Sequence, residues 1–258
     1  MPEAARTCGS LEARALNLSR PGGHDALVAT IVFVPGFMQR GDAWAPLLEH
    51  LPERINARTL DHSEHDLTGR LDEIAAAGEG AVLCGYSLGG RLALRAALRE
   101  PSRYRGVITI GSSSGIEEPV ARSSRAEADA RLAGWMETMP IEEIVTVWER
   151  QPLFADQSDA LVDAQRPGRL SHDPRSLALL LRTAGQGVLA PVWHELERLE
   201  PPLLAVAGVR DERYARAAER MADVAPAGRA VLVENAGHAA HLQQPEAVAA
   251  LIADFAAP

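Results

Sequence analysis

The stretch Ala81-Val82-Leu83-Cys84-Gly85-Tyr86-Ser87-Leu88-Gly89-Gly90-Arg91 decides how the rest of the chain is read. Its first four residues are an apolar run, and a strongly helical pattern extends from Arg91 to Arg99. Between them lies Gly-x-Ser-x-Gly. A strand that turns sharply into a helix strains the residue at the turn, and flanking glycines let neighbouring backbone pass without a clash. Ser87 would then project at the helix N-terminus. There, free N–H groups and the helix dipole stabilise an oxyanion, the Leu88 amide being the first donor. Cys84, inside the apolar run, reads as a small buried hydrophobe.

Outward from this turn, short apolar runs alternate with helical patterns. Thr30–Val34 is rich in β-branched residues and ends at Pro35-Gly36. Gly106–Ile110, Leu203–Ala207 and Ala230–Val233 read as further strands. Helical patterns cover Asp42–Leu51, Glu212–Asp223 and Pro245–Phe255, the last opening with proline in its first turn. This alternation predicts a mostly parallel sheet with helices on both faces. Residues 117–195 break the rhythm with helical periodicity and no strand candidate, and hold Trp135, Trp148 and Trp193 of the four tryptophans. Because the rhythm then resumes, they read as a helical cap inserted into a single domain spanning 1–258. Its tryptophans, with Met136 and Met139, are expected to pack cap helices.

A serine nucleophile needs a base, and the base needs an orienter. Asp211 follows the Leu203–Ala207 strand, and His238 follows the Ala230–Val233 strand in Asn235-Ala236-Gly237-His238. A neutral imidazole can take the serine proton near neutral pH, while Asp211 would hold its tautomer and stabilise the imidazolium. His241, three residues on, is a rival base; the glycine before His238 and its shorter tether to the strand favour His238. A second oxyanion donor is expected in Pro35-Gly36-Phe37. Pro35 has no N–H, so the Phe37 amide is the candidate.

Composition narrows the chemistry. Lys and Arg total 26 against 35 Asp and Glu, a formal charge of −9, and every one of the 26 is arginine. Schiff-base, pyridoxal-phosphate, Ser–Lys and lysine P-loop chemistries are therefore excluded. The acidic balance argues against nucleic acid or an anionic membrane as partner. No apolar run is long enough to span a membrane, and Met1–Ser19 lacks the apolar core of a secretory signal, so the expected location is cytoplasmic. Two cysteines, Cys8 and Cys84, make no disulfide framework. His62 and His65 lack a third ligand at metal spacing, and no metal is expected.

Taken together, the Ser87, Asp211, His238 order and its strand context resemble the α/β-hydrolase superfamily over nearly the whole chain. A narrower resemblance is to the MenH-type 2-succinyl-6-hydroxy-2,4-cyclohexadiene-1-carboxylate synthases of menaquinone biosynthesis. It is carried by Gly85–Arg91, Trp148-x-x-Gln151-Pro152-Leu153-Phe154-Ala155, Gly208-x-x-Asp211-x-Arg213-Tyr214 and Ala236-Gly237-His238-x-x-His241. Where the family usually has Asp-Leu-Pro-Gly-His-Gly, this chain has Asp61-His62-Ser63-Glu64-His65-Asp66. It also has Pro35 for a usual His, and Arg213 for a common Lys.

This resemblance implies a cofactor-free elimination of pyruvate from a cyclohexene carboxylate. It further implies that Arg91, Arg125 and Arg169 bind substrate carboxylates, with Tyr86 and Trp148 lining the pocket. Planar guanidinium groups suit carboxylates because they bind them bidentately. Arg166 competes with Arg169 for its role. The same framework would serve a carboxylic-ester or lactone hydrolase with Ser87 as covalent nucleophile. A small-molecule carboxylate is the expected partner, and the oligomeric state is left open.

Overall fold

The computed structural model describes residues 29–257. The readings of Met1–Ser19 and Cys8 lie outside the described residues. Among the described residues six strands form one sheet in the order β2-β1-β3-β4-β5-β6: β1 Ala29–Val34, β2 Ile55–Thr59, β3 Val82–Tyr86, β4 Gly106–Ile110, β5 Leu203–Gly208 and β6 Gly228–Val233. Every adjacent pair is parallel. This is the α/β-hydrolase fold, with a cap between β4 and β5.

The buried strands show why the pattern works. β3, β4 and β5 are buried at every residue, as a parallel sheet covered on both faces requires. Alternate side chains part to opposite faces. Leu83, Val107, Leu203, Ala205 and Ala207 pack under α2 (Leu67–Ala77), α3 (Leu88–Arg99) and α8 (Glu212–Val224). Val82, Cys84, Ile108, Ile110, Leu204 and Val206 pack under α1 (Ala45–Leu48), α9 (Ala240–Gln243) and α10 (Pro245–Phe255). Cys84 is fully buried, which pushes its thiol pKa up.

The cap carries α4 (Pro119–Met136), α5 (Ile141–Glu149), α6 (Asp159–Leu170) and α7 (Pro174–Ala184). Ala133, Met136, Ile144, Val145, Leu177, Ala178 and Leu181 form its own apolar cluster, with Trp135, Met139 and Trp148 against it. Met38 and Phe37, from the loop after β1, join the same cluster and seat the cap on the sheet. Trp193 departs from expectation. It is buried in the core beside α3 and α8, where its Nε1 donates to Gly115 O at 3.0 Å.

One strand carried no clear signal in the sequence, and one helix is shorter than its pattern. β2 (Ile-Asn-Ala-Arg-Thr), the last strand on its side of the sheet among the described residues, is buried only at its two ends, and polar side chains interrupt its apolar pattern. The Asp42–Leu51 pattern is realised only as a 3-10 turn, Gly41–Trp44, running into α1. Among the described residues no helix is long and apolar enough to cross a membrane.

Candidate active site

Ser87 sits between β3 and α3 at φ 50° and ψ −108°, a strained conformation for a residue with a side chain. The surroundings hold it there. Ser87 N donates to Ile110 O at 2.9 Å, and Ser112 Oγ donates to Ser87 O at 2.8 Å, tying the turn to the end of β4. Gly85 and Gly89 are required by space: a Cβ on Gly85 would strike the Gly89 carbonyl, and one on Gly89 the Val34 carbonyl. Leu88 opens α3, so its N–H has no intrahelical acceptor.

His238 reaches the elbow from the loop after β6. Its Nε2 is 3.1 Å from Ser87 Oγ, and its Nδ1 is 2.7 Å from Asp211 Oδ2. Asp211 is the N-cap of α8, its Oδ1 accepting from Tyr214 N at 3.4 Å. One carboxylate oxygen thus faces a helix N-terminus, where negative charge is favoured, and the other faces the imidazole. The His238 ring is almost fully buried among Tyr86, Tyr214 and Phe154, at centroid distances of 5.3, 4.7 and 6.2 Å. Such packing restricts the imidazole to orientations that keep both contacts.

His241 has a different environment. It is fully buried between Trp44 and Tyr86, at centroid distances of 4.7 and 4.3 Å, and neither ring nitrogen has a partner among the described residues. Burial, reinforced by His238, lowers its pKa to about 3. It is an aromatic spacer behind Tyr86.

Phe37 and Leu88 border the same cavity as Ser87. Among the described residues neither amide N–H has a hydrogen-bond acceptor. The loop bearing Phe37 turns through Met38 at φ 57° and is closed by Gln39, whose Oε1 accepts from Gly36 N at 3.3 Å.

The cavity, about 340 Å³, lies between sheet and cap and also receives Tyr86, Trp148, Arg91, Arg125 and Arg169. Arg125 donates to Asp129 Oδ1 at 2.8 Å and Gln186 Oε1 at 3.0 Å. Arg169, buried, donates to Glu149 Oε1 at 3.1 Å and Gln165 Oε1 at 2.9 Å. Arg166 pairs with the same Glu149 but borders an outer cleft, so Arg169 is the arginine brought to Ser87.

Arg91 differs from both. It is 7% exposed, and its Nε has no partner among the described residues. Burial lowers its pKa, with opposing help from Tyr214 and Asp129. Arg125 and Arg169 therefore arrive with a carboxylate each, whereas Arg91 arrives without one.

The chain belongs to the Alpha/beta hydrolase family.

That family's model matches residues 31–251. The 2-succinyl-6-hydroxy-2,4-cyclohexadiene-1-carboxylate synthase of Klebsiella pneumoniae subsp. pneumoniae is 30% identical over 175 residues, covering 68% of each chain. The synthase of the same name from Enterobacter sp. (strain 638) is 29% identical over 242 residues, 87% of this chain and 90% of that one. The solved structure of MenH from S. aureus superposes with a TM-score of 0.84 at 25% identity, covering 90% of this chain and 94% of the other. Within the hydrolase family, then, this chain closely resembles the MenH-type members.

Several neighbours of the cavity residues had been given no role in the sequence. Asp129 and Glu149 neutralise cap arginines, Gln165 and Gln186 complete their hydrogen bonds, and Phe154 packs between His238 and Trp148. The i,i+4 spacing of Arg125 and Asp129 on α4 was the one local signal.

Proposed function

We propose that this α/β-hydrolase-fold enzyme is a cofactor-free lyase that eliminates pyruvate from SEPHCHC, giving 2-succinyl-6-hydroxy-2,4-cyclohexadiene-1-carboxylate. In this reading the protein is a single cytoplasmic domain, residues 117–195 cover the site as a cap, and the substrate is a small-molecule carboxylate. The observation that carries the proposal is that Arg91, Arg125 and Arg169 border the cavity of Ser87 and His238. A polycarboxylate needs several cationic forks at once, and a simple ester needs none.

The chemistry follows from the geometry. His238, oriented by Asp211, raises the basicity of Ser87 Oγ by accepting its proton. A ring C–H of the substrate gives its proton to that pair. Its electrons form the new ring double bond as the C–O bond to the enolpyruvyl group breaks, and the departing enolate takes up a proton to become pyruvate. Negative charge that develops on the substrate faces the Phe37 and Leu88 amides.

Purified protein is expected to release pyruvate from SEPHCHC, with loss of release in Ser87→Ala and His238→Ala. A folded wild-type protein that releases none at saturating substrate overturns the proposal. The strained Ser87 favours a second reading, a carboxylic-ester or lactone hydrolase with a covalent serine. An acyl-enzyme burst with a chromogenic ester, absent in Ser87→Ala, is its signature.

A further inference from the structure

A second polar cavity, about 150 Å³, lies where the turn between α6 and α7 meets the sheet domain. Gln39 is the only described residue that borders both it and the Ser87 cavity. Its sheet-domain wall includes Asp61, His62 and His65 from the run that replaces the family's usual glycine-rich turn. Arg40 bridges the seam, donating to Ser171 Oγ at 2.7 Å, Ser171 O at 3.2 Å and Asp61 Oδ1 at 3.1 Å.

Two features of this wall call for a ligand. Arg70 is 7% exposed and donates only through Nε, to Glu64 O at 3.0 Å. Among the described residues its two terminal nitrogens have no partner. Those nitrogens are not sealed from solvent, so they offer free donors to the cavity. His62 has a side chain 2% exposed, and its Nε2 is buried without a partner among the described residues. His172 presents a second such Nε2 from the cap side.

We propose that this cavity binds a small oxyanion that still carries a proton, with dihydrogen phosphate as its type. The proton is required by the tautomer of His62. Its Nδ1 lies 2.6 Å from Glu73 Oε2. Burial opposes ionisation of Glu73, but hydrogen bonds from His62 and Ser63 outweigh it and hold the carboxyl pKa at about 2. The carboxylate accepts, so Nδ1 carries the hydrogen. Burial lowers the His62 pKa against the pull of Glu73, and the neutral ring this favours presents Nε2 as a lone-pair acceptor. The ligand must therefore offer an O–H to His62 and a charged oxygen to the Arg70 fork.

Charge sets the same limit. Arg40 and Arg70 face Asp61 and Asp173, with Glu64 and Glu73 behind and His65 and His172 alongside. Asp61 is held by Arg40, and Asp173 caps α7. With those four charges balanced and two further carboxylates behind them, a monoanion suits the wall better than a dianion. Among the described residues no set of three or more His, Cys, Asp and Glu is placed to hold a metal ion. Occupation would join α7 to the loop before α2 at the place where Arg40 clamps Ser171, two residues beyond Arg169.

The test is a calorimetric titration of inorganic phosphate at pH 7 and constant ionic strength. Wild type, Arg70→Gln and Arg91→Met are compared, with sodium sulfate as the unprotonated control. Saturable phosphate binding is expected in wild type, at least tenfold weaker for sulfate. It should weaken at least tenfold in Arg70→Gln and stay within twofold in Arg91→Met. Equal affinity for sulfate, retention in Arg70→Gln, or no saturable binding overturns the proposal; the last would mean that the cavity holds water only.

Should Arg70→Gln fail to fold, imidazole ¹⁵N spectra of wild type decide. The His62 Nε2 resonance should move with phosphate, and a resonance that stays fixed through saturation overturns the site. None of this depends on the reaction catalysed at Ser87.

Discussion

Replacing Arg91 with methionine separates a substrate-reading arginine from a structural one, because the two roles predict opposite signs. Arg91 is 7% exposed with an unpartnered Nε, and Asp129, the carboxylate whose field reaches it, is already held by Arg125. Desolvating a charge that has no carboxylate of its own costs folding energy. Replacing buried ionic groups with apolar ones of similar volume stabilises proteins by about 1–4 kcal/mol.

Taking about 1–2 kcal/mol for Arg91→Met, and about 2–4 °C per kcal/mol for a chain of this size, Tm should rise by about 2–8 °C. Methionine is unbranched and can follow much of the space left by the arginine stem. Catalysis should move the other way. One charge-assisted hydrogen bond contributes about 1.5–3 kcal/mol, so kcat/KM for the polycarboxylate should fall about 10- to 150-fold. Thermal unfolding and steady-state pyruvate release on one preparation measure both. A lower Tm with unchanged kcat/KM would refute the reasoning, since it would make Arg91 a structural residue.

Other outcomes follow from neighbouring contacts. Gln243 accepts from Gly237 N at 2.8 Å and donates to Asp156 Oδ2 at 3.0 Å, so one side chain joins the peptide before His238 to the cap. Gln243→Ala should lower kcat about tenfold with little change in KM and cost about 1–2 kcal/mol in urea unfolding, for the hydrogen bonds lost. His241→Phe should keep activity and gain about 1–3 kcal/mol by removing two unsatisfied buried nitrogens, whereas His238→Phe should be inactive.

The same substitution carries a pH signature. With a folded pKa of about 3, against about 6.5 unfolded, the unfolded chain binds the extra proton between those values. Wild-type stability therefore falls as pH drops below about 6.5, and His241 contributes about 1.4 kcal/mol per pH unit until the loss levels near pH 3. Unfolding curves from pH 4 to 7 should be less steep in His241→Phe by that amount. His172, lowered by burial to about 4, adds a second loss in a narrower window.

Local chemistry made the elbow readable. An apolar strand, glycines at two clash points and a helical run are all contiguous, and they place Ser87 without any tertiary knowledge. Asp211 and His238 were readable because each follows a strand that ends at the same edge of a parallel sheet. Strand β2 was not, since only its ends are buried and Asn56 and Arg58 interrupt its apolar pattern. The charge partners of the arginines were hidden for another reason. Glu149 meets Arg169 across 20 residues, and Gln186 meets Arg125 across 61, so cap packing and not spacing decides them. Trp193 shows the converse: its place next to cap helices in sequence gave no hint that the sheet domain buries it.

The claim that the triad serves a polycarboxylate is tested most directly by comparing kcat/KM for pyruvate release from SEPHCHC with kcat/KM for a chromogenic acetate ester. Both are measured on one preparation and on Ser87→Ala. An ester leaves Arg91 without an anion, and sites built on such contacts reject ligands that lack them. The account predicts a preference of at least about a thousandfold for the polycarboxylate, with both activities lost in Ser87→Ala. Efficient ester turnover with no pyruvate released would contradict it.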